Sequence, residues 1–269
     1  MPEGDTIHQA AVNLRKVLQS QRVTEVQSRA GLMDGDTIAG RIVNEIEARG
    51  KHLLMHVDDG RVLHSHMGMT GSWHMYPAPT LTQAKRQWQK SESQAAVTLQ
   101  TCGWNVVCFS PKVIRLVHEE DLHHDPWLSR LGPDLLKGSV DDFTYLRRIR
   151  SQNRVAIGQA MMNQTVISGI GNVYKSEVLF LESIHPLTRV SQLSDAQLLS
   201  IKNAATQLLQ RNLQNAPRKT RFRSDGVRHW VYGRSGELCL KCGDQIEILR
   251  QGDLARSTYF CPGCQPRFK

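Results

Sequence analysis

Four cysteines near the C-terminus, Cys239, Cys242, Cys261 and Cys264, constrain this chain more than any other feature. They form two Cys-x-x-Cys pairs with 18 residues between them, the spacing of a four-thiolate zinc site. The pairs sit in GELCLKCGD and TYFCPGCQP, each read as a tight turn between short strands. Ile246 and Ile248 lie in strand-like sequence between them, ahead of a polar tip over 250–257. Two disulfides are the alternative. The opening MPEGDTIHQAAVNLRKV has early acids and no unbroken apolar run, so no secretory signal is expected. A cytoplasmic, thiol-reducing location follows, and it favours one structural Zn2+ in a zinc ribbon. A closed four-sulfur site leaves no open position for a substrate, so any chemistry must lie elsewhere.

The 269 residues suffice for two domains plus a small metal module. No stretch of about 18 apolar residues occurs, which argues against a membrane-spanning helix. Cys102 and Cys108 are expected as buried free thiols. The net charge is +9, and residues 211–269 carry 12 Lys/Arg against 5 Asp/Glu. Within them, APRKTRFRSDGVRH places Arg218, Lys219, Arg221, Arg223 and Arg228 on a segment with little periodicity. A basic segment beside a zinc ribbon points to nucleic acid as the partner.

Ile7, Ala10, Ala11, Leu14, Val17 and Leu18 recur at helical spacing, and Pro2 suits a helix start. From about residue 22 to 117 the pattern becomes strand-length runs with polar breaks: VTEVQSRA, IVNEIEARG, KHLLMHVDDG, RVLHSHMGMTGSW, AAVTLQT and WNVVCFS. Such spacing predicts an antiparallel sandwich or barrel. Residues 119–152 are polar and punctuated by Pro126, Gly132 and Pro133, as expected of a linker with a short helix. Helical spacing resumes in RVAIGQAMMNQ, VYKSEVLFLES and LSDAQLLSIKNAATQLLQRNL, the first two joined by Ser168-Gly169-Ile170-Gly171-Asn172. Glycines before a helix N-terminus allow an anion such as a phosphodiester to approach the free amides. The expected fold is α+β and multidomain: a leading helix with an antiparallel β-sandwich (1–118), a linker (119–152), a helical domain with its basic loop (153–228) and a zinc finger (229–269).

MPEGDT at the start, RGKHL at 49–53, LGPDLL at 131–136, GIGNVYKSE at 169–177 and the closing WVYGRSGELCLKC…ARSTYFCPGCQ together resemble one family in the right order. That family is the formamidopyrimidine-DNA glycosylase and endonuclease VIII family of base-excision repair enzymes, with this chain closer to endonuclease VIII. The resemblance spans the chain. It implies a β-sandwich, a helix–two-turn–helix domain and a zinc finger, and a monomer acting on damaged double-stranded DNA with no small-molecule cofactor, in the nucleoid.

The resemblance also assigns roles. Pro2, freed by removal of Met1, would be the nucleophile, since an α-amino group has a pKa of about 8 and is partly unprotonated near neutrality. Glu3 would be the general acid and base. Lys51, counted with the catalytic residues, would reach a phosphate beside the lesion, and Asn172 and Arg256 would hold the same backbone. His66 and Arg234 fall in family-like motifs as phosphate contacts, and Met69 stands where a wedge would fill the stack vacated by the extruded nucleotide. Two departures bear on substrate. Val113 and Ile114 occupy the loop where the formamidopyrimidine branch carries an Arg and a Phe that read the opposite base. Thr6 stands where some relatives have a Glu, so their lesion-base contacts are not carried over, and Asn163 stands where the phosphate-binding motif usually has an acid; the substrate expectation rests on Val113 and Ile114. Oxidised pyrimidines and abasic sites are therefore favoured over 8-oxoguanine, which remains an alternative within the enzyme class. The alternative outside it is a zinc-containing nucleic-acid binder without catalysis.

Overall fold

The computed structural model describes residues 1–29, 37–78, 88–138, 140–214 and 217–267; Ala30, Ala216 and Lys269, each within a segment singled out from the sequence, lie outside them. Two compact units divide the chain, Met1–Ser129 and Arg130–Lys269.

The first unit opens with α1 (Gly4–Leu18). The helix starts two residues later than expected from Pro2: Glu3 is its N-cap residue, in extended conformation, and Pro2 stands outside the helix. Ile7, Ala11, Leu14, Val17 and Leu18 form its buried stripe, as the 3.6-residue period requires. Eight strands follow: β1 (Glu25–Ser28), β2 (Val43–Arg49), β3 (His52–Val57), β4 (Arg61–His66), β5 (Ser72–Pro77), β6 (Ala95–Gln100), β7 (Trp104–Phe109) and β8 (Val113–His118). They make two four-stranded antiparallel sheets, ordered β1-β6-β7-β5 and β2-β3-β4-β8. One core joins them, with Ile46, Leu53, Met55 and Leu63 from one sheet meeting Val97, Leu99, Val106 and Cys108 from the other beside α1. This is the sandwich that the alternating runs predict. Cys108 is buried as expected, whereas Cys102 is exposed on the turn between β6 and β7, where the hairpin reversal carries it out of the core.

In the stretch expected as a linker, Glu119–His123 forms a 3-10 turn and Asp142–Arg150 forms α2, capped by the Asp141 side chain. Tyr145 and Ile149 of α2 belong to the core of the second unit. That core is completed by α3 (Ile157–Ala160), α4 (Asn172–Leu181) and α5 (Asp195–Arg211). RVAIGQAMMNQ is helical for one turn only. The Asn163 carboxamide accepts from the backbone N and hydroxyl of Thr165 at 3.0 and 2.8 Å, a local turn that competes with helix continuation. α5 begins in a capping box between Ser194 and Gln197. The finger is a hairpin of β9 (Glu247–Gln251) and β10 (Arg256–Phe260), and its core gathers Phe180 of α4 with Val231, Cys239, Ile246 and Cys261.

Candidate nucleic-acid and catalytic site

In the first unit, Pro2 is half-buried and Glu3 fully buried at the head of α1. Glu3 makes no side-chain cap to the helix, so N-capping does not explain its carboxyl. While Met1 is present the Pro2 nitrogen is a tertiary amide and has no nucleophilic lone pair.

α1 packs on β2 and β3, the hairpin that carries Lys51. Arg49 pairs with His52, so Gly50 and Lys51 form a two-residue turn. Gly50 has φ +59° while Lys51 does not enter the left-handed region, the pattern of a II′ hairpin with glycine first. Lys51 is thus fixed on a tight reversal rather than on a mobile loop. His66, at the end of β4, pairs with both His52 and Val113. Burial, followed by the nearby charges of Lys112 and Lys51, lowers the His66 pKa to about 4. Met69 lies in the turn between β4 and β5 and is 75% exposed, as a wedge needs to be. Lys90 Nζ donates to the Thr70 carbonyl at 3.1 Å and ties this turn to the segment that precedes β6. Val113 and Ile114, expected on a loop, instead open β8, because the β4 pairing continues to Val113, and Ile114 is buried in the sandwich core. Thr6 donates to Asp5 at 3.3 Å.

In the second unit Asn172 is the first residue of α4. Its carboxamide oxygen accepts from Lys175 Nζ at 3.1 Å, and the same ammonium donates to the Ser257 carbonyl at 3.1 Å. Lys175 is only 1% exposed and bridges the helix to the finger hairpin, next to Arg256. A cavity of about 470 Å³ lies here, lined by Gly158, Asn163, Lys175, Gln251, Leu254 and Arg256 among others. Arg256 is exposed at the first position of β10. The cavity brings a buried ammonium and an exposed guanidinium together, with Asp253 also on its lining, and Lys175 joins it to Asn172 at the α4 N-terminus, an arrangement chemically able to hold an anion.

Sequence reasoning passed over two organising residues. Gln164 accepts from Gly169 N at 3.1 Å and donates to the Ile170 carbonyl at 3.1 Å, holding the glycine-rich turn in shape. Glu177, inside a quoted motif but given no role, is fully buried. It accepts from the backbone N–H groups of Trp230, Val231 and Tyr232 at 2.8, 2.8 and 2.7 Å, and from the Thr220 hydroxyl. A lone acid among apolar helix residues was the available signal. Arg234, expected as a phosphate contact, donates to the Trp230 and Leu238 carbonyls at 2.6 and 3.0 Å and to Glu237 at 2.9 Å. Part of the basic loop is also committed inwards: Arg221 pairs with Asp225 and stacks on Trp230, while Arg223 and Arg228 stay exposed.

The four cysteines converge. Their sulfurs all lie within 4.8 Å of one another, with Cys242–Cys261 at 3.4 Å and Cys239–Cys264 at 3.8 Å. Tetrahedral bonds of ~2.3 Å put thiolate sulfurs ~3.8 Å apart, so the cluster fits a metal ion. Gly243, with φ +85°, closes the first knuckle through its N–H to the Cys239 carbonyl at 3.0 Å.

Comparison with known proteins agrees with this geometry. The formamidopyrimidine-DNA glycosylase N-terminal domain matches residues 1–110, and the formamidopyrimidine-DNA glycosylase H2TH domain matches residues 131–224. A probable endonuclease 8 2 of Streptomyces coelicolor is 34% identical over 98% of this chain and 94% of its own length. The DNA-(apurinic or apyrimidinic site) lyase Nei2 of Mycolicibacterium smegmatis is 30% identical over 98% and 99%. Among solved structures, Lactococcus lactis Fpg in complex with an abasic-site DNA superposes with a TM-score of 0.82 at 21% identity, covering 98% of this chain and all of that one, which shows a shared fold. The chain is a member of the formamidopyrimidine-DNA glycosylase and endonuclease VIII family.

Proposed function

We propose that this protein is a bifunctional DNA glycosylase and abasic-site lyase that excises oxidised bases, pyrimidines foremost, from damaged duplex DNA. The observation that carries the reading is Pro2 standing outside α1 beside a fully buried Glu3, in a chain that matches a probable endonuclease 8 2 over 98% of its length. Once Met1 is removed, the Pro2 amine attacks C1′ and the glycosidic bond breaks, the electron pair leaving with the base. Glu3 supplies the proton that opens the sugar ring and afterwards accepts one. The iminium so formed acidifies C2′, and loss of that proton expels the 3′ phosphate by β-elimination. A second elimination expels the 5′ phosphate.

The remaining residues divide by task. Lys51, with His66, holds a phosphate from the sandwich. Asn172 and Arg256 hold the backbone from the helical domain and finger. Met69 fills the stack left by the flipped nucleotide. Arg234 serves the DNA by bracing the finger. One Zn2+ on Cys239, Cys242, Cys261 and Cys264 would neutralise the thiolates and fix the hairpin that carries Arg256. The division of labour follows 1–118 for catalysis, 153–228 for backbone binding and 229–269 as the finger, with 119–152 shared between the two units because α2 packs in the second core, and the DNA substrate implies a nucleoid-associated cytoplasmic location. The absence of an Arg–Phe pair at Val113 and Ile114 supports pyrimidine lesions.

Incision of duplexes bearing thymine glycol, dihydrouracil, 8-oxoguanine or an abasic site tests this. Cleavage of the pyrimidine lesions and the abasic site is expected to outpace that of 8-oxoguanine. Faster cleavage of 8-oxoguanine would overturn the substrate assignment, and no cleavage of any would leave a DNA binder.

A further inference from the structure

The reaction above uses Lys51 and His66 but leaves three neighbours without a task, His52 and His64, which are buried, and Arg115, which is half-buried. Strand pairing sets His52 opposite His66, and His64 opposite Arg115. Alternation puts all four on the sheet face turned away from Leu53, Met55 and Leu63. The His52 ring lies 4.7 Å from His66 and 5.0 Å from His64, centroid to centroid. Arg115 stacks on Trp127 and forms an ion pair with Asp125. Asp125 also accepts from Trp127 N and Leu128 N, each at 2.9 Å, so this anchor is rigid.

Hydrogen-bond polarity then fixes the tautomers. Arg115 Nε donates to His64 Nδ1 at 3.1 Å, and a guanidinium cannot accept. His64 Nδ1 is therefore bare, and the proton of the neutral ring is on Nε2. That N–H donates to His52 Nδ1 at 2.8 Å, which places the His52 proton on its own Nε2. His66 Nδ1 accepts from Gly68 N at 3.1 Å, so it too carries its proton on Nε2.

We infer that Asp125, Arg115, His64 and His52 form a polarised hydrogen-bond relay that anchors the strand end at the Lys51 turn and holds His66 beside it as a neutral Nε2–H donor. His52, His64 and Arg115 are positioning residues for the phosphate grip, an inference resting on the phosphate role given above to Lys51 and His66. Neutrality has a physical cause. His52 is lowered to about 3 by burial first and then by His66 and His64, and His64 to about 4 by burial and then Arg115. The charges facing the trio are Arg115, Asp125 and Arg49, with Lys51 and Lys112 at the His66 end. A third cation beside Lys51 and Lys112 would repel both, whereas a neutral N–H adds a hydrogen bond to a phosphate oxygen without that repulsion.

Long-range ¹H–¹⁵N spectra of the full chain between about pH 7.5 and 5 test the relay itself. All three rings should show the Nε2–H tautomer and stay neutral. A proton on His64 Nδ1, or titration of His64 at the ordinary midpoint of about 6.5, overturns it. His64→Gln keeps an acceptor for Arg115 and a donor for His52, whereas His64→Phe fills the space with neither. At matched Tm, the Phe variant should lose roughly ten- to hundredfold in kcat/KM on abasic duplex, as expected when a catalytic group is displaced by a fraction of an ångström, while the Gln variant recovers most of it. Equal activity of Phe and wild type overturns the positioning role. Lys51→Gln separates the two readings: full activity there would remove the phosphate role of Lys51 while leaving the tautomers as they are.

Discussion

Replacing Glu177 by Ala removes one carboxylate and strands three donors at once, the backbone N–H groups of the consecutive residues Trp230 to Tyr232. The Thr220 hydroxyl loses one partner but keeps His229 Nδ1 at 3.1 Å. Each buried donor left without a partner costs ~1–3 kcal/mol, and water entering the vacated space recovers part of it, so the net loss should be ~3–5 kcal/mol. That is a large share of the ~5–15 kcal/mol that holds a domain together. For the second unit, Arg130–Lys269, it corresponds to a Tm lowered by roughly 10–15 °C. The loss should be local to that unit, so differential scanning calorimetry should show its transition moving down while the transition of the sandwich stays in place. Since Trp230 to Tyr232 lead directly into the first cysteine knuckle, the variant should also release metal more readily. Glu120→Gln, at an exposed position, is the control. A shift below ~3 °C in Glu177→Ala, or an equal shift of both transitions, would refute this reasoning.

Arg256→Ala should weaken binding of all duplex sequences alike and reduce the slope of log K against log salt by about 1, because a phosphate contact releases counterions and reads no base. Chelation should abolish DNA binding while the sandwich stays folded, read by circular dichroism and fluorescence anisotropy together; retained binding after verified metal loss would contradict the role given to the four cysteines. Lys175→Met should cut the tie between Asn172 and Ser257 and raise KM more than it lowers Tm, measured by steady-state incision. His52, His64 and His66, lowered to about 3, 4 and 4, take up protons in the unfolded chain near pH 6.5 but only far lower when folded. The unfolded state therefore binds more protons in that window, so stability is full above about pH 6.5 and falls towards pH 4, by up to ~1.4 kcal/mol per pH unit for each ring. Urea titrations of the sandwich should show that slope, and a flat profile would contradict it.

Features set by spacing along the chain were readable directly. The α1 stripe, the alternating strands and the double Cys-x-x-Cys pattern each depend on residues a few positions apart, and each appears in the fold. Features set by pairing were not. The histidine relay needs the register of β3, β4 and β8, which no local pattern reveals. Glu177 received no role because its partners come from the segment around Trp230, more than fifty residues along the chain. Arg234 shows the converse: a motif arginine in a basic region reads as a DNA contact, yet backbone carbonyls take its donors. Pro2 was read partly as a helix starter, but the extended Glu3 displaces it from α1.

The central claim concerns which nitrogen bonds to the sugar. Borohydride reduction of the protein on abasic duplex, followed by proteolysis and mass spectrometry, should place the deoxyribose adduct on a peptide that begins with Pro2, in material lacking Met1. An adduct on Lys51 or another lysine, or undiminished incision by protein that retains Met1, would contradict it.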